Sequence, residues 1–189
     1  MMFMPEKLNR EKFNRAVFLD RDGVLNRSLV REGKPYPPNS LDELEVLPGV
    51  EDACRSFKKA GYVLVCITNQ PDVARGTQSL AVVEEINQIL KEKLDLDDVR
   101  VCLHDDADGC DYRKPKPGHL LDAARDFDID LTSSIMVGDR WRDTEAGQNA
   151  GCRTVFIDYS YDERQPTDPD HVCSDLQGAA SWILKGLGQ

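Results

Sequence analysis

The chain has 189 residues, 40% of them hydrophobic and 31% charged, and its formal net charge is −10 at pH 7. This length suits one domain with a sizeable core, and the acidic balance argues against nucleic-acid binding, which usually needs a basic face. No apolar run approaches the length of a membrane span, and residues 1–14 lack the apolar core of a signal peptide. We therefore expect a loose lead-in over residues 1–14 and a single domain over residues 15–189. The expected protein is a cytoplasmic monomer that binds neither nucleic acid nor membranes.

The first predicted element is an apolar run from Ala16 to Leu19, which is followed by two aspartates, Asp20 and Asp22, and by Gly23. The run predicts a buried strand, and the glycine predicts the turn that ends it. Residues i and i+2 of an extended chain point the same way, so both carboxylates should face one volume at the carboxyl end of the strand. Two carboxylates this close favour a hard divalent cation such as magnesium between them.

The remaining chain alternates between helices and strands. A long loop over residues 26–47 precedes the first helix, which is predicted between Gly49 and Gly61. Further strands are predicted over residues 62–67, 99–103, 134–137 and 152–157, and further helices over residues 79–94, 117–127, 143–150 and 175–184. The apolar face of the second helix is expected to comprise Leu80, Val83, Ile86, Ile89, Leu90 and Leu94. The six cysteines are expected to be reduced, with Cys54, Cys66 and Cys152 in the core.

This alternation predicts a parallel sheet with helices on both faces. Polar side chains lie at the carboxyl ends of three of its strands. Asp20 and Asp22 follow the first strand, Thr68 and Asn69 follow the second, and Asp139 follows the fourth. The carboxyl ends of parallel strands open on one side of a sheet. These groups therefore converge if the first strand lies between the second and the fourth, and the basic run over residues 113–116 can approach from the third strand.

Such a constellation suits phosphoryl transfer, in which positioning and charge neutralisation provide most of the catalysis. Asp20 would attack phosphorus and form an aspartyl-phosphate, while Asp22 would act as general acid and then as general base. Thr68 and Lys114 would hold the phosphoryl oxygens. Magnesium would be held by Asp20, by the backbone carbonyl of Asp22 and by Asp139. Asp143, four residues further on, would either support the metal site or only cap its helix.

Four motifs occur in this order: D-R-D-G-V-L-N from residue 20, T-N-Q-x-x-x-A-R-G from residue 68, C-x-Y-R-K-P-K-P-G from residue 110 and V-G-D-R from residue 137. Over residues 15–158 the chain resembles the heptose bisphosphate and histidinol-phosphate phosphatase family of the haloacid dehalogenase (HAD) superfamily. The resemblance implies an α/β fold of three Rossmann-like layers, the strand order 5-4-1-2-3, and no large cap domain. It also implies a magnesium-dependent phosphatase.

The resemblance further implies that Asn69, Gln70 and Arg75 border the substrate and that Arg113 recognises it. The alternative for either arginine is a solvated loop charge. The favoured substrate is a phosphorylated sugar, D-glycero-D-manno-heptose 1,7-bisphosphate, which would lose its C7 phosphate. Alternatives are a histidinol-phosphate phosphatase, a phosphotransferase and a non-catalytic module that binds a phosphorylated ligand. A polynucleotide phosphatase is disfavoured by the acidic charge.

Members of this family often carry zinc on the pattern Cys-x-His…Cys-x-Cys. Cys102, His104 and Cys110 match three of these ligands, but Tyr112 stands where the fourth cysteine would be. Structural zinc usually takes four ligands in a tetrahedron. Two readings follow: either one of the nearby aspartates (Asp105, Asp106, Asp108 or Asp111) completes the zinc site, or the loop has lost its metal.

Overall fold

The computed structural model describes residues 13–186, and most of the predicted 1–14 lead-in lies outside them. The strands are β1 (Arg15–Leu19), β2 (Leu29–Arg31), β3 (Lys34–Tyr36), β4 (Tyr62–Asn69), β5 (Asp98–Cys102), β6 (Ile135–Gly138), β7 (Arg153–Ile157) and β8 (His171–Cys173). The helices are α1 (Val50–Lys59), α2 (Leu80–Lys93), α3 (Gly118–Asp126), α4 (Trp141–Ala150) and α5 (Leu176–Lys185). None of these helices combines the length and the apolar character needed to span a bilayer.

Six of the strands form one parallel sheet in the order β5-β4-β1-β6-β7-β8. The five predicted strands therefore have the order 5-4-1-2-3, as the family resemblance implied. β8 was not predicted, because three residues of which only Val172 is strongly apolar give a weak strand signal. The central position of β1 between β4 and β6 is what brings the three polar strand ends together.

The side chains of β1 alternate between two hydrophobic clusters, one on each face of the sheet. Val17 and Leu19 pack in the cluster that includes α1, α2 and α5, whereas Ala16 and Phe18 pack in the cluster that includes α3 and α4. Each of these four residues is completely buried. The apolar run that defined β1 in the sequence is therefore continuous because both faces of the strand are covered.

The predicted apolar face of α2 was wrong at two positions. Val83, Ile86 and Leu90 are buried, but Leu80 and Ile89 are 41% and 36% exposed. Ile89 lies about 120° around the helix from Val83, and Leu80 is the first residue of the helix. The six cysteines are free, and the three expected in the core are buried there.

The segment predicted as a plain loop contains a β-hairpin. Leu29 pairs with Tyr36 and Arg31 with Lys34, so that only Glu32 and Gly33 form the turn. Both turn residues have positive φ angles, 50° and 74°, as expected of the tight turns that join two twisted strands. This short hairpin is the insertion between β1 and α1, and no large cap domain interrupts residues 13–186.

Candidate active site

The ends of β1, β4 and β6 open into one pocket with a volume of about 240 Å³. The Asp20 amide donates to the Val137 carbonyl at 3.0 Å, which fixes the end of β1 against β6. Thr68 and Asn69 are the last two residues of β4, which lies on the other side of β1. Charged side chains dominate the pocket wall. They are the acidic Asp20, Asp22, Asp72, Asp143 and Glu163, and the basic Lys34, Arg75, Lys114, Arg140 and Arg142.

Lys114 joins two carboxylates at the floor of this pocket. Its Nζ lies 2.6 Å from Asp20 Oδ1 and 2.6 Å from Asp143 Oδ1, and it donates to the Ile67 carbonyl at 2.6 Å. Its side chain is only 2% exposed. Burial opposes the charged ammonium, but Asp143 and Asp20 outweigh it and raise the pKa of Lys114. The lysine is therefore a fixed positive charge beside Asp20.

Burial raises the pKa of Asp20 to about 6, although Lys114 acts in the opposite direction. The neighbouring carboxylates of Asp143 and Asp22 add to the increase. Asp20 is therefore still mostly ionised at pH 7, as a nucleophilic carboxylate must be. A cation next to Asp20 would lower its pKa and offset the remaining cost of burying its charge.

The carboxylates of Asp20, Asp139 and Asp143 lie within 4.8 Å of one another. Both oxygens of Asp139 are buried and have no hydrogen-bond partner among residues 13–186. The Tyr161 hydroxyl approaches Asp139 but does not reach hydrogen-bond geometry. Burial, followed by the charges of Asp20 and Asp143, raises the pKa of Asp139 well above its usual range. Buried oxygens without partners are costly, and a hard divalent cation would satisfy them, so the residues fit such an ion.

Asp143 caps its helix and also lies in the carboxylate cluster, so its second possible role, support of the metal site, stays a prediction. Its Oδ2 accepts a hydrogen bond from the Arg140 backbone amide at 3.0 Å, at the start of α4, and its Oδ1 is paired with Lys114. The carboxylate of Asp22 is outside the cluster of three. The role of its backbone carbonyl as a metal ligand therefore stays a prediction.

Gly23 allows Asp139 to lie against the turn that follows β1. Its φ is +94°, and a Cβ atom at this position would fall 1.9 Å from Asp139 Oδ2. We expect Gly23→Ala to displace this carboxylate and to weaken magnesium binding about 10- to 100-fold, as measured by titration calorimetry. Gly61→Ala is the matched control, because Gly61 has a φ of +81° but open space around its Cβ position. Unchanged magnesium affinity in Gly23→Ala would show that Asp139 is not a ligand.

Asp22 is held by donors from three side chains. Gln70 Nε2 donates to it at 2.7 Å, Asn26 Nδ2 at 2.9 Å and Arg21 Nη2 at 3.0 Å. Gln70 Nε2 also donates to Thr68 Oγ1 at 2.8 Å. Gln70 is 1% exposed and is not part of the pocket wall. The structure thus places Gln70 behind the two predicted catalytic residues rather than beside a substrate.

The other predicted substrate residues differ in position. Asn69 and Arg75 line the pocket, whereas Arg113 is 8% exposed and does not. The Asn69 side chain binds the backbone of Lys114. Its Nδ2 donates to the Lys114 carbonyl at 3.0 Å, and its Oδ1 accepts from the Lys114 backbone amide at 3.1 Å. Arg75 binds Asp105 through two hydrogen bonds of 2.6 Å. Arg113 is therefore not a solvated charge, and Arg75, although half exposed, is held in a bidentate ion pair.

The three predicted zinc ligands form a second cluster at the end of β5, which contains Cys102, and in the loop that follows it, which contains His104 and Cys110. Cys102 Sγ lies 3.8 Å from His104 Nδ1 and 3.8 Å from Cys110 Sγ. The Tyr112 hydroxyl instead donates to Asp122 at 3.0 Å. The four aspartates considered as a fourth ligand are engaged elsewhere: Asp105 with Arg75, Asp106 with Arg113, Asp108 with the Asp105 amide and Asp111 with Lys116.

Comparison with known proteins gives a consistent result. The HAD-hydrolase-like family model matches residues 111–179. The D-glycero-D-manno-heptose-1,7-bisphosphate 7-phosphatase of Thermosynechococcus vestitus is 34% identical over 91% of this chain and 96% of its own length. The Escherichia coli K12 protein named D-glycero-beta-D-manno-heptose-1,7-bisphosphate 7-phosphatase is 34% identical over 91% of this chain and 89% of its own length. The chain belongs to the heptose-bisphosphate phosphatase family of HAD hydrolases.

A solved structure agrees with this assignment. The D,D-heptose 1,7-bisphosphate phosphatase of B. bronchiseptica, complexed with magnesium and phosphate, has a TM-score of 0.77 and 32% identity. The match covers 91% of this chain and 99% of that one. The family and fold implied by the four sequence motifs are thereby confirmed.

Several residues at the candidate active site were not predicted from the sequence of this heptose-bisphosphate phosphatase family member. Arg21 and Asn26 donate hydrogen bonds to Asp22, and their positions within the D-R-D-G-V-L-N motif could have indicated that they belong to the site. Arg140 belongs to the V-G-D-R motif and pairs with Glu163 at the pocket wall. Nothing local in the sequence pointed to Lys34, because its position depends on how the β2–β3 hairpin docks.

Proposed function

We propose that the chain is a magnesium-dependent phosphatase that removes the C7 phosphate of D-glycero-D-manno-heptose 1,7-bisphosphate. The observation that carries the proposal is the contact of Lys114 with Asp20 and Asp143, beside the unpartnered carboxylate of Asp139. Membership of the heptose-bisphosphate phosphatase family supports this choice of substrate. We also propose that the protein is a monomer and that its substrate is a small phosphorylated sugar.

In the first half-reaction, an Asp20 carboxylate oxygen bonds to phosphorus as the bond from phosphorus to the sugar oxygen breaks. Asp22 donates its proton to the departing oxygen, so the sugar leaves as an alcohol and Asp20 becomes an aspartyl-phosphate. Thr68 and Lys114 hold the phosphoryl oxygens. The network of Arg21, Asn26 and Gln70 keeps the Asp22 side chain in one orientation.

In the second half-reaction, Asp22 takes a proton from a water molecule that attacks the phosphorus atom. The bond between phosphorus and Asp20 breaks, inorganic phosphate forms, and Asp20 returns as a carboxylate. Asp20, Asp139 and the backbone carbonyl of Asp22 would hold magnesium. The bound ion would neutralise charge on the phosphoryl group.

The test is phosphate release with magnesium, comparing both anomers of heptose 1,7-bisphosphate with histidinol phosphate. We expect kcat/KM to favour one heptose anomer over histidinol phosphate by about 100-fold or more, which corresponds to about 2.7 kcal/mol. Equal, slow rates on all three compounds would contradict the proposed substrate. Failure to hydrolyse any phosphomonoester would favour the non-catalytic binding module, and phosphate transfer to an acceptor other than water would favour the phosphotransferase.

We also propose that Cys102, His104 and Cys110 bind zinc through three protein ligands. The Cys102 Sγ–Cys110 Sγ distance of 3.8 Å matches the edge of about 3.8 Å expected for two thiolates in a tetrahedron with Zn–S bonds of about 2.3 Å. The Cys102 Sγ–His104 Nδ1 distance, also 3.8 Å, is slightly longer than the edge of about 3.6 Å expected when one ligand is an imidazole. We expect about one zinc per purified chain by elemental analysis, and its loss in Cys110→Ser. Cys173→Ser, which alters a free cysteine outside this cluster, is the control. A metal-free wild-type protein that binds no added zinc would contradict this proposal and support the loss of the site.

A further inference from the structure

The β2–β3 hairpin forms one wall of the active-site pocket through Lys34, Pro35 and Tyr36. Two contacts hold it in place. The Asp162 amide donates to the Gly33 carbonyl at 2.9 Å, and Gln78 Nε2 donates to the Pro38 carbonyl at 2.9 Å. A Cβ atom on Gly33 would lie 3.0 Å from Asp162 Cβ, so the hairpin tip packs closely on the segment after β7. The wall is therefore a docked part of the fold.

Lys34 differs from the other basic residues of the pocket wall. Lys114 is paired with Asp20 and Asp143. The three wall arginines also have carboxylate partners: Arg75 binds Asp105, Arg140 binds Glu163 and Arg142 binds Asp106. Lys34 has no carboxylate within 4.0 Å among residues 13–186. Its charge is thus available to an anionic ligand without first breaking an ion pair.

The strand register adds a second argument. Lys34 lies directly opposite Arg31, and like charges in directly opposed positions destabilise a strand pair. Arg31 lies over the Tyr36 ring, 5.8 Å from its centroid, and also has no carboxylate partner in the described part of the chain. A bound anion would relieve this repulsion. The hairpin therefore carries an uncompensated positive charge on the wall that faces the pocket.

We propose that Lys34 binds the second phosphate of a bisphosphorylated sugar while the first phosphate lies at Asp20. This inference rests on the proposed function and names the residue that distinguishes a bisphosphate from a monophosphate. A lysine suits the role because its flexible stem carries a compact charge with three donors, which can follow a phosphate in more than one orientation. Lys34 acts on substrate selection and not on the chemical step.

The first experiment compares kcat/KM for heptose 1,7-bisphosphate and for heptose 7-phosphate in the wild type, Lys34→Met and Lys34→Arg. Lys34→Met should lose about 10- to 100-fold more on the bisphosphate than on the monophosphate, as expected for one hydrogen bond between charged groups. The loss should appear in KM more than in kcat, and Lys34→Arg should recover most of it. Equal losses on both substrates, or no loss, would overturn the assignment.

Arg31→Met is the matched control, because Arg31 lies on the same hairpin and carries the same charge but does not line the pocket. Its ratio of the two kcat/KM values should change by less than about threefold, since Arg31 lies beside Lys34 but outside the pocket wall, where solvent screens its charge and it makes no contact with the bound phosphate. A change in this ratio as large as that caused by Lys34→Met would show that any positive charge on the hairpin favours the bisphosphate. That result would also overturn the assignment.

A binding measurement separates this inference from the proposed function. Calorimetric titration of heptose 1,7-bisphosphate into Asp20→Asn, with and without Lys34→Met, measures affinity without turnover. We expect Lys34→Met to weaken binding about 10- to 100-fold. Absent or unchanged binding would refute the role of Lys34, whereas failure of the wild type to release phosphate would refute the proposed function.

Discussion

Asp20→Asn is expected to abolish phosphate release while leaving the fold intact. The amide cannot form the aspartyl-phosphate, so kcat should fall by about 10⁴-fold or more. The change preserves the side-chain shape, and Asn Oδ1 can still accept from Lys114, which contacts Asp20 Oδ1 at 2.6 Å in the wild type. The measurement is single-turnover phosphate release together with circular dichroism and thermal unfolding.

Asp42→Asn is the control, because Asp42 is exposed and lies outside the pocket wall. It should retain wild-type kcat. Substantial turnover by a folded Asp20→Asn protein would rule out Asp20 as the nucleophile. Loss of the folded state in Asp20→Asn would instead show that the carboxylate is mainly structural.

Lys114→Met should reduce both stability and activity. It removes the ammonium from beside Asp20 and Asp143, so we expect a loss of about 3–5 kcal/mol in the free energy of unfolding without metal, as for other broken buried ion pairs. Magnesium should restore part of this loss, since it binds only the folded cluster and supplies positive charge to the same carboxylates. Loss of a donor to the phosphoryl group should lower kcat by about 10²- to 10³-fold.

The measurement is urea unfolding with and without magnesium. Lys116→Met is the control. Lys116 is half exposed and pairs with Asp111, and a surface pair of this kind contributes about 0–1 kcal/mol. A Lys114→Met protein as stable as the wild type in the absence of metal would contradict the assigned role of Lys114, as would a stability that magnesium does not change.

The local charge of the pocket differs from that of the whole chain. The net charge of the chain is −10, yet the pocket wall carries five acidic and five basic side chains. A divalent cation at Asp20 and Asp139 would make this balance positive. The distribution explains how an acidic protein can accept an anionic sugar phosphate.

The loop after β5 is connected to the pocket through adjacent aspartates. Asp105 binds Arg75, and Asp106 binds Arg113 and Arg142. Two of these arginines line the pocket. A change in the loop that carries Cys110 would therefore reach the arginines of the pocket wall. Tyr112, which stands where the family pattern has a cysteine, belongs to this loop, so we expect its substitution to alter substrate preference.

The sequence by itself was sufficient for the parts of this protein that depend on local pattern. The apolar run before Asp20 predicted β1, because both faces of that strand are buried. The aspartates at the strand ends predicted the carboxylate cluster, because parallel strands open on one side of a sheet. The four motifs predicted the family, since together they span most of the chain.

The tertiary structure decided what each side chain contacts. Gln70 and Asn69 follow the same strand, but one supports Asp22 and Thr68 and the other supports the backbone of Lys114. Lys34 reaches the pocket only because the hairpin docks on the segment at Asp162, which is distant in sequence. These roles depend on contacts between residues far apart in the chain, and such contacts form only when the sheet brings its strand ends and loops together.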